Sequence, residues 1–306
     1  MTNIVVTGGT GAIGSAAIEW CLQQYPQSNI MVLGRSSEKL AILQQKYMVQ
    51  TAVLDFSLSD TDFVQQVEQC NIPFVDVLVH LAAVVPSQAQ KSEDFYRVNL
   101  INARALLHNM QFREGAGILN FSSASVYDME AIHIQESSPL TTTNDYGISK
   151  YLFEHFVEEY AQQQNIHSVS VRIPVLLAPF VRNNFIAKWR DLLLDGSKVT
   201  LFNSQSQFNS CVWIHDIFEF FQKIMLQETI HHLRCNVGAE DSISVEEAFY
   251  VLSKAYDRPA LYHEIQNHRV AQYYDSSFAI AHGYKPSTVA QSLQRLAFAE
   301  KQHVGH

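Results

Sequence analysis

Strands and helices that alternate through the first two thirds of the chain predict an α/β fold, a doubly wound parallel sheet with helices on both faces, followed by a smaller C-terminal α/β domain. Two further observations agree. A glycine-rich turn, Thr7-Gly8-Gly9-Thr10-Gly11-Ala12-Ile13-Gly14, joins the first apolar run to the first helical pattern, and Tyr146 and Lys150 stand four apart at the start of a later helix.

Asn3-Ile4-Val5-Val6 reads as the first strand, and Ala16, Ala17, Ile18 and Leu22 form the apolar positions of the helix after the turn. Short β-branched or apolar runs recur at 30–33, 51–54, 75–81, 118–121 and 169–173. Helical patterns lie between them at 37–46, 60–70, 93–110 and 146–164. After Pro174 the pattern loosens into a stretch with Pro, Asn and Phe. It then regains a helix at 214–226, a short strand at 235–237 and helical segments at 245–256 and 289–299. Neither a repeat nor a low-complexity linker interrupts the chain.

The 306 residues, 47% of them hydrophobic and 17% charged, suffice for a large core plus a smaller domain. Thirty acidic residues against 21 basic give a net charge of −9, and no stretch clusters Lys and Arg, which argues against nucleic acid as a partner. No apolar stretch approaches bilayer-spanning length and no leader pattern precedes the first strand, so a cytoplasmic protein without membrane contact is expected. Cys21, Cys70, Cys211 and Cys235 are scattered and read as buried, reduced thiols. The 13 His residues match no ligand spacing, so no metal is expected.

In open α/β sheets, ligands sit beyond the carboxyl ends of the strands. Gly8 and Gly11 allow a tight turn and close approach to a pyrophosphate, Gly14 allows close helix–sheet packing, and the helix N-terminus offers free N–H groups and the positive end of its dipole. After the second strand stand Arg35 and Ser36, with Lys39 nearby. A guanidinium there, in place of the acidic side chain that meets a ribose diol, favours NADP(H) over NAD(H), with NAD(H) still possible; alternatively, Arg35 is a solvated residue before a helix capped by Ser36 or Ser37. Asp55 and Phe56 end the third strand, where an adenine would lie, although Asp is also a common turn former. His80-Leu81-Ala82-Ala83 ends the fourth strand with small side chains, and the next helix carries Asn99.

Tyr146 and Lys150 are neighbours on one helix face. An adjacent ammonium stabilises phenolate and should lower the tyrosine's value, which makes the pair a tuned acid/base. Ser123, at the end of the fifth strand, can hydrogen-bond a substrate carbonyl or alkoxide while hydride passes to or from a nicotinamide.

With TGGTGAIG at 7–14, HLAA at 80–83, Asn99, SSASVY at 122–127, YGISK at 146–150, RIP at 172–174 and NVG at 236–238, the chain resembles the extended short-chain dehydrogenase/reductase group, the NAD(P)-dependent epimerase/dehydratases. The resemblance implies a Rossmann dinucleotide-binding domain over 1–173 with later contributions near 212–238, and a substrate domain over 174–211 and 239–306. It also implies catalytic roles for Ser123, Tyr146 and Lys150, a hold by Lys150 on the nicotinamide ribose, and cofactor contacts from Thr10, Ala12, Ile13, Asn99 and Pro174. Finally, it implies a homodimer through the helices that carry Asn99 and Tyr146.

Departures from the group's pattern bear on the substrate. Val175 replaces an Asn usual in sugar-nucleotide members, and Asn209 stands where those members carry an Arg that clamps the diphosphate. Phe180, Phe185, Trp189, Phe202 and Phe208 could line an apolar pocket or form core. Val84, Ser125, Val175, Phe185 and Phe208 are the candidate substrate contacts. Ala124-Ser125-Val126 lacks the Asp-Glu pair of the 4,6-dehydratases, which argues against water elimination.

The reading expected is therefore an NADP(H)-dependent oxidoreductase acting on the carbonyl or secondary alcohol of a small or partly apolar molecule. The alternatives are a sugar-nucleotide epimerase or reductase using Arg182, Arg190 or Arg258 at an atypical diphosphate site, and a non-catalytic dinucleotide sensor, against which the intact Ser123, Tyr146 and Lys150 argue.

Overall fold

The computed structural model describes residues 2–89, 91–128, 131–140, 143–267 and 272–304. In chain order the elements are β1 (Asn3–Thr7), α1 (Ala12–Gln24), β2 (Asn29–Gly34), α2 (Ser37–Tyr47), β3 (Gln50–Val53), α3 (Asp60–Gln69), β4 (Val75–His80), α4 (Ser92–Tyr96), a π-helical turn (Arg97–Ile101), α5 (Asn102–His108) and β5 (Phe112–Ser123). They continue with β6 (His133–Ile134), α6 (Asp145–Gln164), β7 (His167–Ile173), β8 (Leu176–Leu177), α7 (Phe185–Asp195), β9 (Val199–Phe202), β10 (Gln207–Phe208), β11 (Val212–Trp213) and α8 (Ile214–Met225). The last are β12 (His232–Asn236), β13 (Ile243–Ser244), α9 (Val245–Ala255), β14 (Tyr262–Ile265), β15 (Tyr273–Tyr274), α10 (Ser277–Ala281) and α11 (Val289–Val304).

Two compact units divide the chain. The first comprises Met1–Val126, Thr141–Arg172 and Phe221–Cys235; the second comprises Tyr127–Leu140, Ile173–Phe220 and Asn236–His306. These bounds differ from the expected domain limits chiefly at 127–140. The reason is a strand pairing: β6 runs parallel to β15, far along the chain, with His133 opposite Tyr273.

In the first unit a seven-stranded sheet has the order β12-β7-β5-β4-β1-β2-β3. The pairings of β1 with β2 and β4, of β2 with β3 and of β4 with β5 are parallel. The strand order reverses between β1 and β4, which makes that pair the switch point where a crevice opens beyond the carboxyl ends. The core beneath holds Val5, Leu33, Phe63, Leu78, Leu106, Ile118, Phe153 and Val157. Caps delimit its helices: Ser36 accepts from Lys39 N at α2, Ser59 from Asp62 N at α3 and Asn144 from Gly147 N at α6. Asn165 in the left-handed region ends α6.

The expected helix over 93–110 is instead α4, the π turn and α5. The π turn carries Asn99, whose side-chain bonds are described below; a one-residue bulge leaves no trace in a 3.6-residue pattern. The short strand at the chain's later third is β12, His232–Asn236, rather than 235–237.

The second unit contains two-stranded sheets β10–β13, β11–β8, β14–β9 and β15–β6. Three of them escaped sequence reading because pairs of two residues carry no periodicity, and the fourth, β14–β9, pairs strands of only four residues. The helix α7, within the stretch read as loose, is capped by Asn184, which accepts from Ala187 N, and ended by Gly196. Among the described residues no helix is long and apolar enough to cross a membrane, and no group of His, Cys, Asp and Glu could hold a metal ion.

Candidate active site

The site is built at the switch point of the first unit. Gly8 takes φ +67°, and a Cβ on it would lie 2.8 Å from Ala82 N and 2.9 Å from the Leu81 carbonyl carbon. The turn after β1 therefore presses on the segment after β4, and only glycine fits. Thr7 ties the two: its Oγ1 accepts from the N–H of Leu81 and of Ala82, both at 3.1 Å. With both lone pairs used, the hydroxyl donates to His80 Nδ1 at 3.0 Å, which leaves the imidazole proton on Nε2. Nε2 is buried without a hydrogen-bond partner among the described residues. Burial, and secondarily the Lys150 charge, hold His80 down at about 3.

The N-terminus of α1 differs from the capped helices. Gly11 is its N-cap, no side chain caps it, and its first turn contains no acidic residue. A Cβ on Gly14 would lie 2.2 Å from Gly9 O, so Gly14 serves the packing of helix on turn. A Cβ on Gly11 would meet only Gly8 O, at 3.5 Å. The protein itself does not need glycine there; a phosphate approaching the free N–H groups of Ala12, Ile13 and Gly14 does. Thr10 packs against the end of β2, where a Cβ on Gly34 would lie 2.9 Å from its Cγ2.

Arg35 and Lys39 are exposed, and neither forms an ion pair among the described residues; Ser36 caps α2. At the end of β3 the side chains are committed elsewhere than expected. Asp55 Oδ1 accepts from Ser57 N (2.9 Å) and Ser57 Oγ (2.7 Å), closing a turn. The Phe56 ring is buried against Phe63 and His80, so it offers no face to an adenine.

Asn99 is likewise not a surface contact but a bracket. It is buried, accepts from Val84 N at 2.8 Å, and donates to Val84 O (3.0 Å) and Ser149 Oγ (3.2 Å); Ser149 in turn donates to Tyr146 O at 2.8 Å. One amide thus fixes the Val84 backbone relative to α6, and no N–H of its own remains for a ligand.

β5 delivers Ser123 and α6 delivers Tyr146. The two side chains are close enough for the Ser123 hydroxyl to act on the Tyr146 phenol. Ser125 N also donates to Ser123 Oγ at 3.1 Å, and Asn144 Nδ2 reaches Ser125 O at 3.5 Å. Burial pushes the Tyr146 hydroxyl above the ordinary phenol value, while the Ser123 hydroxyl pulls it partly back. This reverses the direction expected from the neighbouring ammonium. The physical reason is that removing the phenol from water penalises its anion. Lys150 is 2% exposed and makes no hydrogen bond or ion pair among the described residues. Burial pulls it down to about 8, against the pull of Glu154. A buried ammonium without a partner is an anomaly that a sugar diol would resolve. Together with the open Gly11 turn, it makes these residues a fit for a dinucleotide.

Four of the expected contacts, Pro174, Val175, Phe185 and Phe208, fall in the second unit. Val175 O accepts from Val212 N at 2.9 Å, which aligns β8 with β11. Phe208 is buried core, whereas Phe185 is 37% exposed. The rings of Phe185 and Trp189 lie 5.0 Å apart, those of Phe185 and Phe208 5.6 Å, and those of Trp189 and Phe249 5.6 Å. The cluster therefore binds α7 to α9 and β10. Phe180 and Phe202 are exposed.

Asn209 is saturated by its own fold: Nδ2 donates to Tyr274 O (2.8 Å), Oδ1 accepts from Tyr274 N (2.9 Å), and its carbonyl accepts from Ala239 N (3.0 Å). Arg190, suggested above as a diphosphate ligand, is buried and engaged by Glu300 (2.7 Å) and Asp191 (2.8 Å). Arg182 and Arg258 are exposed. Ser122 and Arg172, which sequence reading quoted in motifs without a role, and Glu154, which it passed over, form a buried network. The signal available was Glu154, a charge four residues after Lys150 among Phe153, Val157 and Ala161.

Comparison with known proteins places the chain among relatives. The profile of the NAD dependent epimerase/dehydratase family matches residues 4–238. The dTDP-D-glucose 4,6-dehydratase of Dictyostelium discoideum is 24% identical over 79% of this chain and 59% of its own. The UDP-glucose 4-epimerase of Pasteurella multocida is 31% identical over 55% of this chain and 51% of its own. The chain thus spans about half the length of the curated relatives it matches. In fold it is similar to the UDP-glucuronic acid 4-epimerase of Bacillus cereus in complex with UDP-glucuronic acid and NAD, with a TM-score of 0.77 at 18% identity over 99% of this chain and 100% of that one. The UDP-glucose 4-epimerase of Thermus thermophilus in complex with NAD gives a TM-score of 0.75 at 19% identity over 98% and 99%.

Proposed function

The chain belongs to the NAD dependent epimerase/dehydratase family, and from that premise we propose that it is an NAD(P)-dependent oxidoreductase. The reaction proposed is hydride transfer between the nicotinamide and a carbonyl or secondary alcohol of a small or partly apolar substrate. The observation that carries this reading is the placement of Ser123 beside Tyr146, with Lys150, buried and without a hydrogen bond or ion pair among the described residues, one turn further along α6.

When bound, the nicotinamide supplies or accepts the hydride. In the reducing direction Ser123 Oγ donates a hydrogen bond to the substrate oxygen and fixes the carbonyl at the mouth of β5. The Tyr146 hydroxyl, held protonated by its burial, gives its proton to the developing alkoxide. Lys150 then supplies the charge that steadies the phenolate and holds the ribose hydroxyls. In the oxidising direction the same proton returns from alcohol to phenolate. Gly11 and the N-terminus of α1 receive the pyrophosphate, and Leu81, Ala82 and Ala83 flank it.

NADP(H) is the cofactor we favour, because Arg35 and Lys39 present two exposed cations beyond β2. A substrate without a diphosphate is supported by Asn209 and Arg190, both fully engaged within the second unit. Among the relatives, those named as sugar-nucleotide epimerases favour a second reading, an epimerase that recycles its dinucleotide in place; Arg182 and Arg258 are the exposed cations left for its diphosphate. A cytoplasmic homodimer through the α4–α5 and α6 helices completes the proposal.

Native mass spectrometry of the freshly purified protein separates the two readings. An empty or exchangeable site that prefers NADPH supports the reductase, while stoichiometric NAD⁺ carried through purification favours the epimerase. Arg35→Asp then tests the cofactor assignment, which fails if the ratio of NADPH to NADH affinity is unchanged. Tyr146→Phe should lower turnover about 10²- to 10⁴-fold with dinucleotide affinity nearly intact; retained turnover would remove Tyr146 from the mechanism.

A further inference from the structure

One turn beyond Lys150 on α6, Glu154 is fully enclosed, and every acceptor position it offers is used. Arg172 on β7 donates to it from Nε, at 3.0 Å to Oε2 and 3.2 Å to Oε1, and from Nη2 to Oε2 at 2.8 Å. The Ser122 hydroxyl on β5 donates to Oε1. Ser122 is the residue before Ser123, and Glu154 is four residues after Lys150, so one carboxylate joins the strand that ends in the serine to the helix that carries the acid/base pair.

We infer that Glu154 is a positioning residue for the hydride-transfer site: gripped by Arg172, its carboxylate is set one turn from the Lys150 ammonium and, through Ser122, it sets the end of β5 that presents Ser123. The inference rests on the reading of Ser123, Tyr146 and Lys150 given above. Arg172 alone accounts for only part of this arrangement. A buried guanidinium needs a carboxylate, but it does not need that carboxylate one turn from a second buried cation and bonded to the residue before Ser123.

The groups that face Lys150 are Tyr146 and Glu154 on its own helix and His80 from β4, held neutral by burial and secondarily by the Lys150 charge. Those that face Glu154 are Lys150 and His155 on α6, Ser122 from β5 and Arg172 from β7. Of these, Glu154 is the group that acts to keep Lys150 protonated, against the burial that lowers it to about 8. Residues four apart on a helix have Cβ atoms roughly 5–6 Å apart. At an effective dielectric of about 20, unit charges roughly 6–10 Å apart, as on the ends of two such side chains, interact by on the order of one to two pH units.

The test reads Lys150 directly, in the absence of substrate and dinucleotide, by NMR titration of the full chain carrying ¹³C,¹⁵N-lysine, with the resonance assigned by its loss in Lys150→Met. Glu154→Gln should lower the Lys150 midpoint by about one pH unit or more. Glu154→Gln/Arg172→Met, which leaves no orphaned guanidinium, should lower it similarly. Ser122→Ala keeps the charge and should leave the midpoint within about 0.3 unit. An unmoved midpoint in the charge-removing variants overturns the inference. So does failure of both to fold, which would make Glu154 a structural residue only. Because lysine titration needs no turnover, a wild-type protein inactive on every carbonyl would sink the proposed function without touching this result. In an active protein, the alkaline limb of kcat/KM should move to lower pH in Glu154→Gln by the same interval.

Discussion

Gly11→Ala should leave the fold intact and damage dinucleotide binding, whereas Gly14→Ala should damage the fold. At Gly11 the backbone has φ −87° and ψ 170°, open to alanine, and the added methyl meets only Gly8 O at 3.5 Å. Alanine is a poorer N-cap than glycine by up to about 1 kcal/mol, and the stiffer unfolded chain returns roughly 0.4–1 kcal/mol. The net change in stability is therefore within about 1 kcal/mol, or a few degrees in Tm at most. A methyl at that point also occupies the approach to the N–H groups of the first turn. Losing two charge-assisted hydrogen bonds, at about 1.5 kcal/mol each, weakens binding by about 3 kcal/mol, or about 10²-fold. At Gly14 the methyl would sit 2.2 Å from Gly9 O and 2.3 Å from Gly9 Cα, both backbone atoms, so the turn must move by more than an ångström. Overpacking of that kind costs about 1–3 kcal/mol or more. Urea denaturation gives the stabilities, and fluorescence titration with NADPH and NADH gives the affinities. Gly11→Ala binding within threefold of wild type would refute the placement of the pyrophosphate; an equal loss of stability in both variants would refute the steric argument.

Three further outcomes are expected. His80 is held at about 3 against an unfolded value of 6.5, so between these values the unfolded chain binds more protons, and the contribution present above pH 6.5 is lost as pH falls. In His80→Phe that loss is absent, so the stability of the variant relative to wild type should improve by about 1.4 kcal/mol per pH unit below pH 6; parallel pH profiles from urea denaturation would contradict it. Glu300→Gln leaves Arg190 buried with only the exposed Asp191 as counter-charge, and also weakens the bonds of Glu300 to Tyr256 Oη and Phe180 N. It should cost about 3–5 kcal/mol in urea denaturation, and a loss under 1 kcal/mol would show the pair to be dispensable. Phe208→Ala should cost about 3–5 kcal/mol, while Phe185→Ala, on the exposed edge of the same cluster, should cost less than half as much; calorimetry that ranks them in reverse would place Phe185 in the core.

Much of this molecule is legible in one dimension, because its largest signals are local. The glycine turn, the strand runs and the Tyr146–Lys150 spacing each lie within a few residues, and each is enforced by backbone sterics or helix geometry that neighbours in sequence already specify. The extents of β2, β3, α2, α3 and α6 follow from side-chain caps and apolar periodicity, which are equally local. The alternation of elements implies a parallel sheet with helices on both faces, while its order, with β4 beside β1, comes from the fold.

What tertiary structure alone decided are matters of who meets whom. Asn99 reads in sequence as a cofactor contact; only the fold, by setting it against Val84 and Ser149, turns its amide inward. Phe56 and Phe208 read as ligand faces, but burial assigns both to core. Tyr146 reads as a phenol lowered by its neighbour, whereas the low-dielectric surroundings raise it. Asn209 and Arg190 gain their partners from positions 65 and 110 residues away. Spacing along a chain encodes which side chains share a face. Whether a polar atom is satisfied, and in what dielectric, depends on elements distant in sequence, so it emerges only when the chain is folded.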